Sequence, residues 1–251
     1  MFPDFDAARV LVVGGSSGIG LAAARAFAAR GAQVTIASRH QARLDAALAS
    51  LSSLSSLGAA DAGAGARVAG QVLDVTDDAA VAAFFAQAEP WDHVVISAAQ
   101  TATGPVRQLP LADAYAALDS KFWGAYRVAR AVPIRARGSL TLVSGYLGIR
   151  PSKASVLQGA INAALDALGR GLALELSPVR VNTVSPGLIA TPLWDKLDPA
   201  ARQAMYDGAA ARLPAQCLGQ PEDVANAILY LAGTPYVTGS TVLVDGGGAI
   251  A

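Results

Sequence analysis

Seven residues that follow a short apolar run are the first in this chain whose types and order could do chemistry. After Val10–Val13 come Gly14, Gly15, Ser16, Ser17, Gly18, Ile19 and Gly20, and then the helix-like LAAARAFAAR. A strand that turns on glycine into a helix aims unpaired backbone N–H groups and the positive end of the helix dipole at one spot, which suits a phosphate. Gly14 allows the tight turn, Gly18 lets the backbone approach a pyrophosphate, and Gly20 lets helix and strand pack closely. A plain connector is the bland alternative; the strand before and the helix after favour phosphate binding. A second cluster ends the next apolar run: Ser38 and Arg39, with His40 behind. An acidic residue there would accept hydrogen bonds from ribose hydroxyls. A guanidinium instead offers charge and a bidentate fork to a 2′-phosphate, so the expected dinucleotide is NADP(H) and not NAD(H). The competing reading is a solvated arginine at a strand end.

The elements that would carry these groups alternate along the chain. Strand-like runs are Val10 to Val13, Gln33 to Ala37, Val68 to Leu73, His93 to Ser97, Leu140 to Val143, Arg180 to Val184 and Thr241 to Val244. Helical periods lie between them: Ile19 to Ala29, Arg43 to Ala49, Asp77 to Ala88, Leu111 to Val132, Ser155 to Leu176 and Pro221 to Leu231. Near-continuous apolar strands separated by helices predict a mainly parallel seven-stranded sheet with helices on both faces. The fold class is α/β: one doubly wound Rossmann domain over residues 1–251, with ligands at the C-terminal ends of the strands. Ser50 to Gly65, rich in Ser, Ala and Gly, reads as a frayed helix end plus a flexible loop. Residues 192–214, with Trp194, Met205 and Tyr206, read as a substrate-side insertion or a surface helix pair.

Composition narrows the function classes. The chain has 251 residues, 53% of them hydrophobic and 15% charged, enough for a sizeable core. Nineteen basic and 19 acidic residues cancel, so no electrostatic nucleic-acid partner is expected. The single Cys217 excludes an internal disulfide framework, and His40 and His93 lack metal-ligand spacing. No apolar stretch reaches the ~18 residues of a membrane span, and the N-terminal MFPDFDAARV has no secretory pattern. A cytoplasmic protein with no membrane and no metal is the expectation.

The motifs together resemble the short-chain dehydrogenase/reductase family across nearly the whole chain. GGSSGIG resembles its TGxxxGIG turn, with Val13 at the threonine. Asp74 in LDVT, followed by Val75, sits like the family's adenine-contacting aspartate. Arg180 to Thr191, RVNTVSPGLIAT, is similar to the strand and Pro-Gly turn beside the nicotinamide. The resemblance implies that Pro186 and Gly187 shape that turn, that Ile189 lies near the carboxamide, and that Thr191 reaches carboxamide or phosphate. The terminal run from GQPEDVANAILYLAG to YVTGSTVLVDGG is similar to the family's last helix and strand. Where the family has NNAG the chain reads Ser97, Ala98, Ala99, Gln100, which keeps backbone contact with a cofactor but loses the asparagine side chains.

The reaction centre departs from the family. Members use a serine, a tyrosine as proton donor or acceptor, and a lysine four residues after it that lowers the phenol's pKa. Ser144 matches the serine, but Gln158 falls at the tyrosine and Asn162 at the lysine. Lys121 in LDSKFWG stands where the family places an asparagine. This lysine/asparagine exchange resembles polyketide-synthase ketoreductase domains, and implies an ammonium that reaches the centre from the neighbouring helix. Gln158 can hydrogen-bond a carbonyl but cannot transfer a proton usefully near neutral pH. Tyr146 is the nearest replacement phenol, and Tyr115 and Tyr126 are expected to pack. Three functions follow: an NADP(H)-dependent oxidoreductase of a small carbonyl-like substrate; a weak or inactive NADP(H)- or ligand-binding protein; or a non-redox enzyme using the inherited cleft. An iminium or quinone-like acceptor, which needs little proton help, suits the first. The resemblance also implies a homodimer or homotetramer through Leu111 to Val132 and Ser155 to Leu176; Gly159, Ala160, Ala163, Ala164 and Ala167 form a small-residue stripe that serves that contact or packs inward on the sheet.

Overall fold

Every strand pairing in the sheet is parallel, in the order β3-β2-β1-β4-β5-β6-β7. The computed structural model describes residues 4–58 and 68–251. The strands are β1 Arg9–Val13, β2 Gln33–Ser38, β3 Val68–Val72, β4 Trp91–Ile96, β5 Ile134–Val143, β6 Arg180–Pro186 and β7 Thr241–Val244. Between them run α1 Gly18–Ala28, α2 Gln41–Gly58, α3 Asp78–Phe85, α4 Leu111–Leu118, α5 Gly124–Ala131, α6 Val156–Glu175, α7 Pro199–Arg212 and α8 Pro221–Gly233. The chain winds outward from β1 to β3, then returns to start β4 on the other side of β1. The C-terminal ends of β1 and β4 therefore diverge into the crevice where such sheets bind ligands.

The apolar runs divide cleanly between two faces because side chains alternate along a strand. Val10 and Val12 point to a core shared with Phe27, Ile36, Leu44 and Ile228, beneath α1, α2 and α8. Leu11 and Val13 point to the opposite core with Val94, Leu140, Leu142 and Leu165, beneath α3, α5 and α6. Each fully buried Leu, Ile or Val contributes roughly 1.5–3 kcal/mol. β6 is buried along its whole length, as a central strand covered on both faces must be.

Three expectations need correction. β5 starts at Ile134 and not at Leu140, because its first half, IRARG, is mostly exposed and carries no apolar run. The helix expected over Leu111 to Val132 is interrupted by a π-helical turn at Asp119–Trp123. α2 runs on through Gly58, so much of the stretch expected to fray is helical, and positions 59–65 lie outside the described residues. In the 192–214 stretch a 3₁₀ turn, Pro192–Trp194, precedes α7. Asp198 caps that helix by accepting from the amides of Ala200 and Ala201 at 3.0 and 3.1 Å, with Pro199 in its first turn. Among the described residues no helix is long and apolar enough to cross a membrane, and no His/Cys/Asp/Glu cluster could hold a metal.

Candidate functional site

The glycine turn forms a backbone cradle at the crevice. Gly14 and Gly18 have φ of +88° and +51°, which L side chains rarely adopt. A Cβ on Gly14 would lie 2.5 Å from the Ala98 amide nitrogen, and one on Gly20 would collide with the Gly14 carbonyl. The residues at these positions must therefore be glycine for β1, β4 and α1 to converge. Ser17 caps α1 without making a side-chain hydrogen bond there, which leaves its hydroxyl available. Ser16 donates to Ser38 at 2.9 Å and so ties the turn to the end of β2. Both serines line a cavity of about 150 Å³ together with Arg39, Arg43, Val75 and Ala99. The exposed Arg39 makes only a 3.4 Å contact with Gln100 across this cavity. Asp74 does not line it: its Oδ1 accepts from the Thr76 amide at 2.9 Å and hydroxyl at 2.8 Å. Burial works to raise the Asp74 carboxyl, but the Thr76 hydrogen bonds and the charges of Arg39 and His40 outweigh it and hold its pKa low.

The cradle, the cation pair Arg39 and Arg43, and the free Ser17 hydroxyl fit a dinucleotide with an extra phosphate on its adenosine end. The lost asparagines of the family's NNAG have a partial substitute. Ser97 Oγ reaches the carbonyls of Val13 and Gly14 at 3.4 and 3.3 Å, bridging β4 to β1.

A second and larger cleft, about 910 Å³, opens from the same crevice toward α7. Gly18, Ile19, Pro186, Gly187, Ile189 and Thr191 line it, and Lys121, Ser144, Tyr146, Gln158 and Asn162 meet there. Lys121 is 8% exposed. Its Nζ donates to Asn162 Oδ1 at 2.6 Å and to the Ser144 carbonyl at 2.9 Å. Two features make this approach possible. The π turn adds a residue to one helical turn and changes the direction of Lys121. Ser120, buried beside it, donates to the Gln100 carbonyl and accepts from the Gln100 amide at 3.1 and 2.8 Å, anchoring the turn to the loop after β4. On the other side, a Cβ on Gly145 would lie 2.7 Å from Asn162 Nδ2, so glycine lets the loop after β5 come down on α6.

Burial lowers the Lys121 pKa to about 8, with the Asp166 charge opposing that fall. Asp166 is itself buried, and burial raises its carboxyl against a Ser144 hydrogen bond and the charges of Arg170 and Lys121. Asp166 Oδ1 and Gln158 Oε1 are fully covered and have no hydrogen-bond partner among the described residues. Ser144 Oγ makes a long 3.4 Å bond to the Val184 carbonyl. Tyr146 is half-buried in the cleft wall, and its hydroxyl makes no hydrogen bond to Ser144. Tyr115 and Tyr126 do not pack inward as expected. Both are exposed, and Tyr126 meets the half-open ring of Trp123 edge-on.

Several residues of this region escaped the sequence reading. Asp166 carried a signal, a charge one helical turn after Asn162 on an apolar face. Ser120, Arg43, Arg150 and Arg212 carried none, because their positions at the clefts depend on how distant elements meet. The small-residue stripe is split: Gly159 faces the loop carbonyl of Leu147, whereas Ala160, Ala163 and Ala167 are exposed.

Comparison with known proteins gives the family and agrees with the fold. The family model described as enoyl-(acyl carrier protein) reductase matches residues 13–248. A short-chain dehydrogenase/reductase of Acremonium sp is 32% identical over 255 residues, covering 96% of this chain and 95% of that protein. The structure of L-sorbose reductase from Gluconobacter frateurii, complexed with NADPH and L-sorbose, superposes with a TM-score of 0.86 at 25% identity, covering all of both chains. The MalC reductase/Diels-Alderase from Malbranchea aurantiaca superposes with a TM-score of 0.88 at 27% identity, covering 98% of each chain. The chain belongs to the short-chain dehydrogenase/reductase family, whose members are NAD(P)-dependent oxidoreductases.

Proposed function

We propose that this protein is an NADP(H)-dependent reductase of a small carbonyl-like substrate in which Lys121 takes the place of the missing phenol as proton source. One observation carries the reading: a buried lysine, not a tyrosine hydroxyl, bonds the Ser144 carbonyl and Asn162 in the cleft that Gln158 also lines. The bound nicotinamide supplies hydride. Gly14, Gly18 and the α1 N-terminus would hold its pyrophosphate, and Arg39 and Arg43 its 2′-phosphate. Ser144 and Gln158 orient the substrate oxygen or nitrogen by hydrogen bonds. The Lys121 ammonium gives up one proton to the developing anion, becomes a neutral amine, and regains a proton from water. A pKa of about 8 suits that task, since an acid works best with a pKa near the working pH. Apolar residues of the 192–214 stretch cover the cleft as a substrate-side insertion, Leu193 and Trp194 among them.

A second reading, a protein that binds NADP(H) or a ligand without turnover, is favoured by Gln158, which cannot pass a proton. The MalC neighbour's name includes a reductase, which supports the reductive reading over the binder. We infer a cytoplasmic enzyme that assembles as a homodimer or homotetramer. The exposed Leu111, Tyr115, Trp123 and Tyr126 beside the exposed alanines of α6 support that assembly.

The test is a fluorescence titration with NADPH and NADH, followed by a screen of ketones, iminium compounds and quinones. Wild type, Lys121→Ala and Tyr146→Phe are compared. Turnover that survives in Tyr146→Phe and is lost in Lys121→Ala supports the proposal. Tight NADPH binding with no turnover on any class moves the assignment to the binder, and turnover lost only in Tyr146→Phe makes that phenol the acid.

A further inference from the structure

Beneath the reaction centre lies a carboxylate that the chemistry described so far does not use. Asp166 is 6% exposed, one helical turn beyond Asn162 on the buried face of α6. Its Oδ1 has no hydrogen-bond partner among the described residues. A buried acid left this way is costly unless a charge or a proton compensates it. Compensation comes from the Ser144 hydroxyl, from Arg170 on the same helix and from Lys121, which reaches α6 at Asn162 and, unlike the exposed Arg170, is equally buried. Both hydrogen bonds of Lys121 Nζ go to neutral oxygens, and Asp166, one helical turn along α6 from Asn162, is the acid whose charge acts on it across the buried space.

We propose that Asp166 is the positioning residue of this centre: its buried carboxylate keeps Lys121 protonated and so maintains the store from which the substrate's proton is drawn. The proposal rests on Lys121 being that proton source. The charged groups that act on the pair are few. Asp166 is felt by Arg170 from its own helix and by Lys121 from the π turn, and the loop after β5 adds the Ser144 hydroxyl. Asp119, on the same π turn as Lys121, is held away by Arg127 at 2.8 Å. Without Asp166, desolvation would act on Lys121 unopposed, and the ammonium would lose its proton at a lower pH.

The chain has three lysines, Lys121, Lys153 and Lys196, and the last two are exposed. Coenzyme-free protein labelled with 13C at lysine Cε therefore gives three resolvable titrations. Wild type should show one midpoint near 8 for Lys121. In Asp166→Asn that midpoint should fall by about one pH unit while Lys153 and Lys196 stay where they were, and Asp166→Glu should restore it. In turnover, Asp166→Asn should keep kcat within about twofold at low pH and lose about tenfold above the new midpoint. An unmoved Lys121 midpoint in Asp166→Asn overturns the proposal. If that variant does not fold, the Asp166 13Cγ titration in Lys121→Met decides: an upward move of about one pH unit supports the pairing, and no move refutes it. Because the lysine titration needs no coenzyme and no substrate, the proposed reduction can fail while the pairing stands, and the reverse.

Discussion

The two ends of the crevice are built from different materials. At the nucleotide end the working groups are backbone amides, presented by glycines within a single stretch, Gly14 to Gly20, with one hydroxyl pair to β2. At the reaction end they are side chains from the π turn, the loop after β5 and α6, and they are buried charges: Lys121 and Asp166. A backbone cradle keeps its chemistry whatever its side chains do, so long as glycine remains. A side-chain centre can be rewired by exchanging two residues across a gap. On the proposed function, this explains how the chain keeps a recognisable nucleotide turn while its proton source stands on the π turn and not on α6.

The contrast can be broken most directly at Lys121. Replacing it with Ala should cost about 10²- to 10⁴-fold in turnover, the usual share of a general acid, with NADPH affinity unchanged in a fluorescence titration. A parallel loss of affinity would merge the two ends into one unit. Gly20→Ala should do the opposite. Its Cβ meets the Gly14 carbonyl and Ser97 Oγ, so the loss should appear as about 1–3 kcal/mol in denaturant unfolding and as weakened NADPH binding. Arg39→Ala should reduce the preference for NADPH over NADH on the order of tenfold, a modest figure because the guanidinium is exposed and screened by salt.

A smaller effect separates the ends by pH. In the folded chain Lys121 loses its proton near 8, against 10.5 for an ordinary lysine. Between those values the unfolded chain holds more protons than the folded one, so stability rises with pH across the window. Thermal unfolding of wild type relative to Lys121→Met should therefore improve from pH 8 toward 10.5 and be flat below 8. The reduction rate should fall over the same range, as the ammonium is lost. The smallest effect is expected at Tyr146→Phe, which leaves the Lys121 contacts in place and should change kcat less than about threefold in a steady-state assay.

Much of the nucleotide end was legible because it is local. Glycines that must be glycine announce a turn in a few consecutive letters, and Ser38 and Arg39 follow directly on the strand that aims them. The strands were equally legible from apolar runs, except at IRARG in β5, whose exposed half bears no apolar pattern. The reaction centre was legible only as a set of departures at Lys121, Gln158 and Asn162. That Lys121 and Asn162 touch could not be read from spacing, since 41 residues and a π turn lie between them. The inward packing expected of Tyr115 and Tyr126 failed for a related reason: which face of a helix turns to the core changes when a π turn shifts its register.

What the sequence by itself determined is therefore the alternation of strands and helices, the parallel sheet, and the anion-binding turn. Each follows from backbone sterics and burial acting over a few residues. The tertiary structure alone decided that the Lys121 amine and the Asn162 carboxamide meet in one site, with the buried Asp166 one helical turn away. Electrostatic coupling depends on distance and on the exclusion of water, and both exist only once β5, α6 and the π turn have closed around the same space.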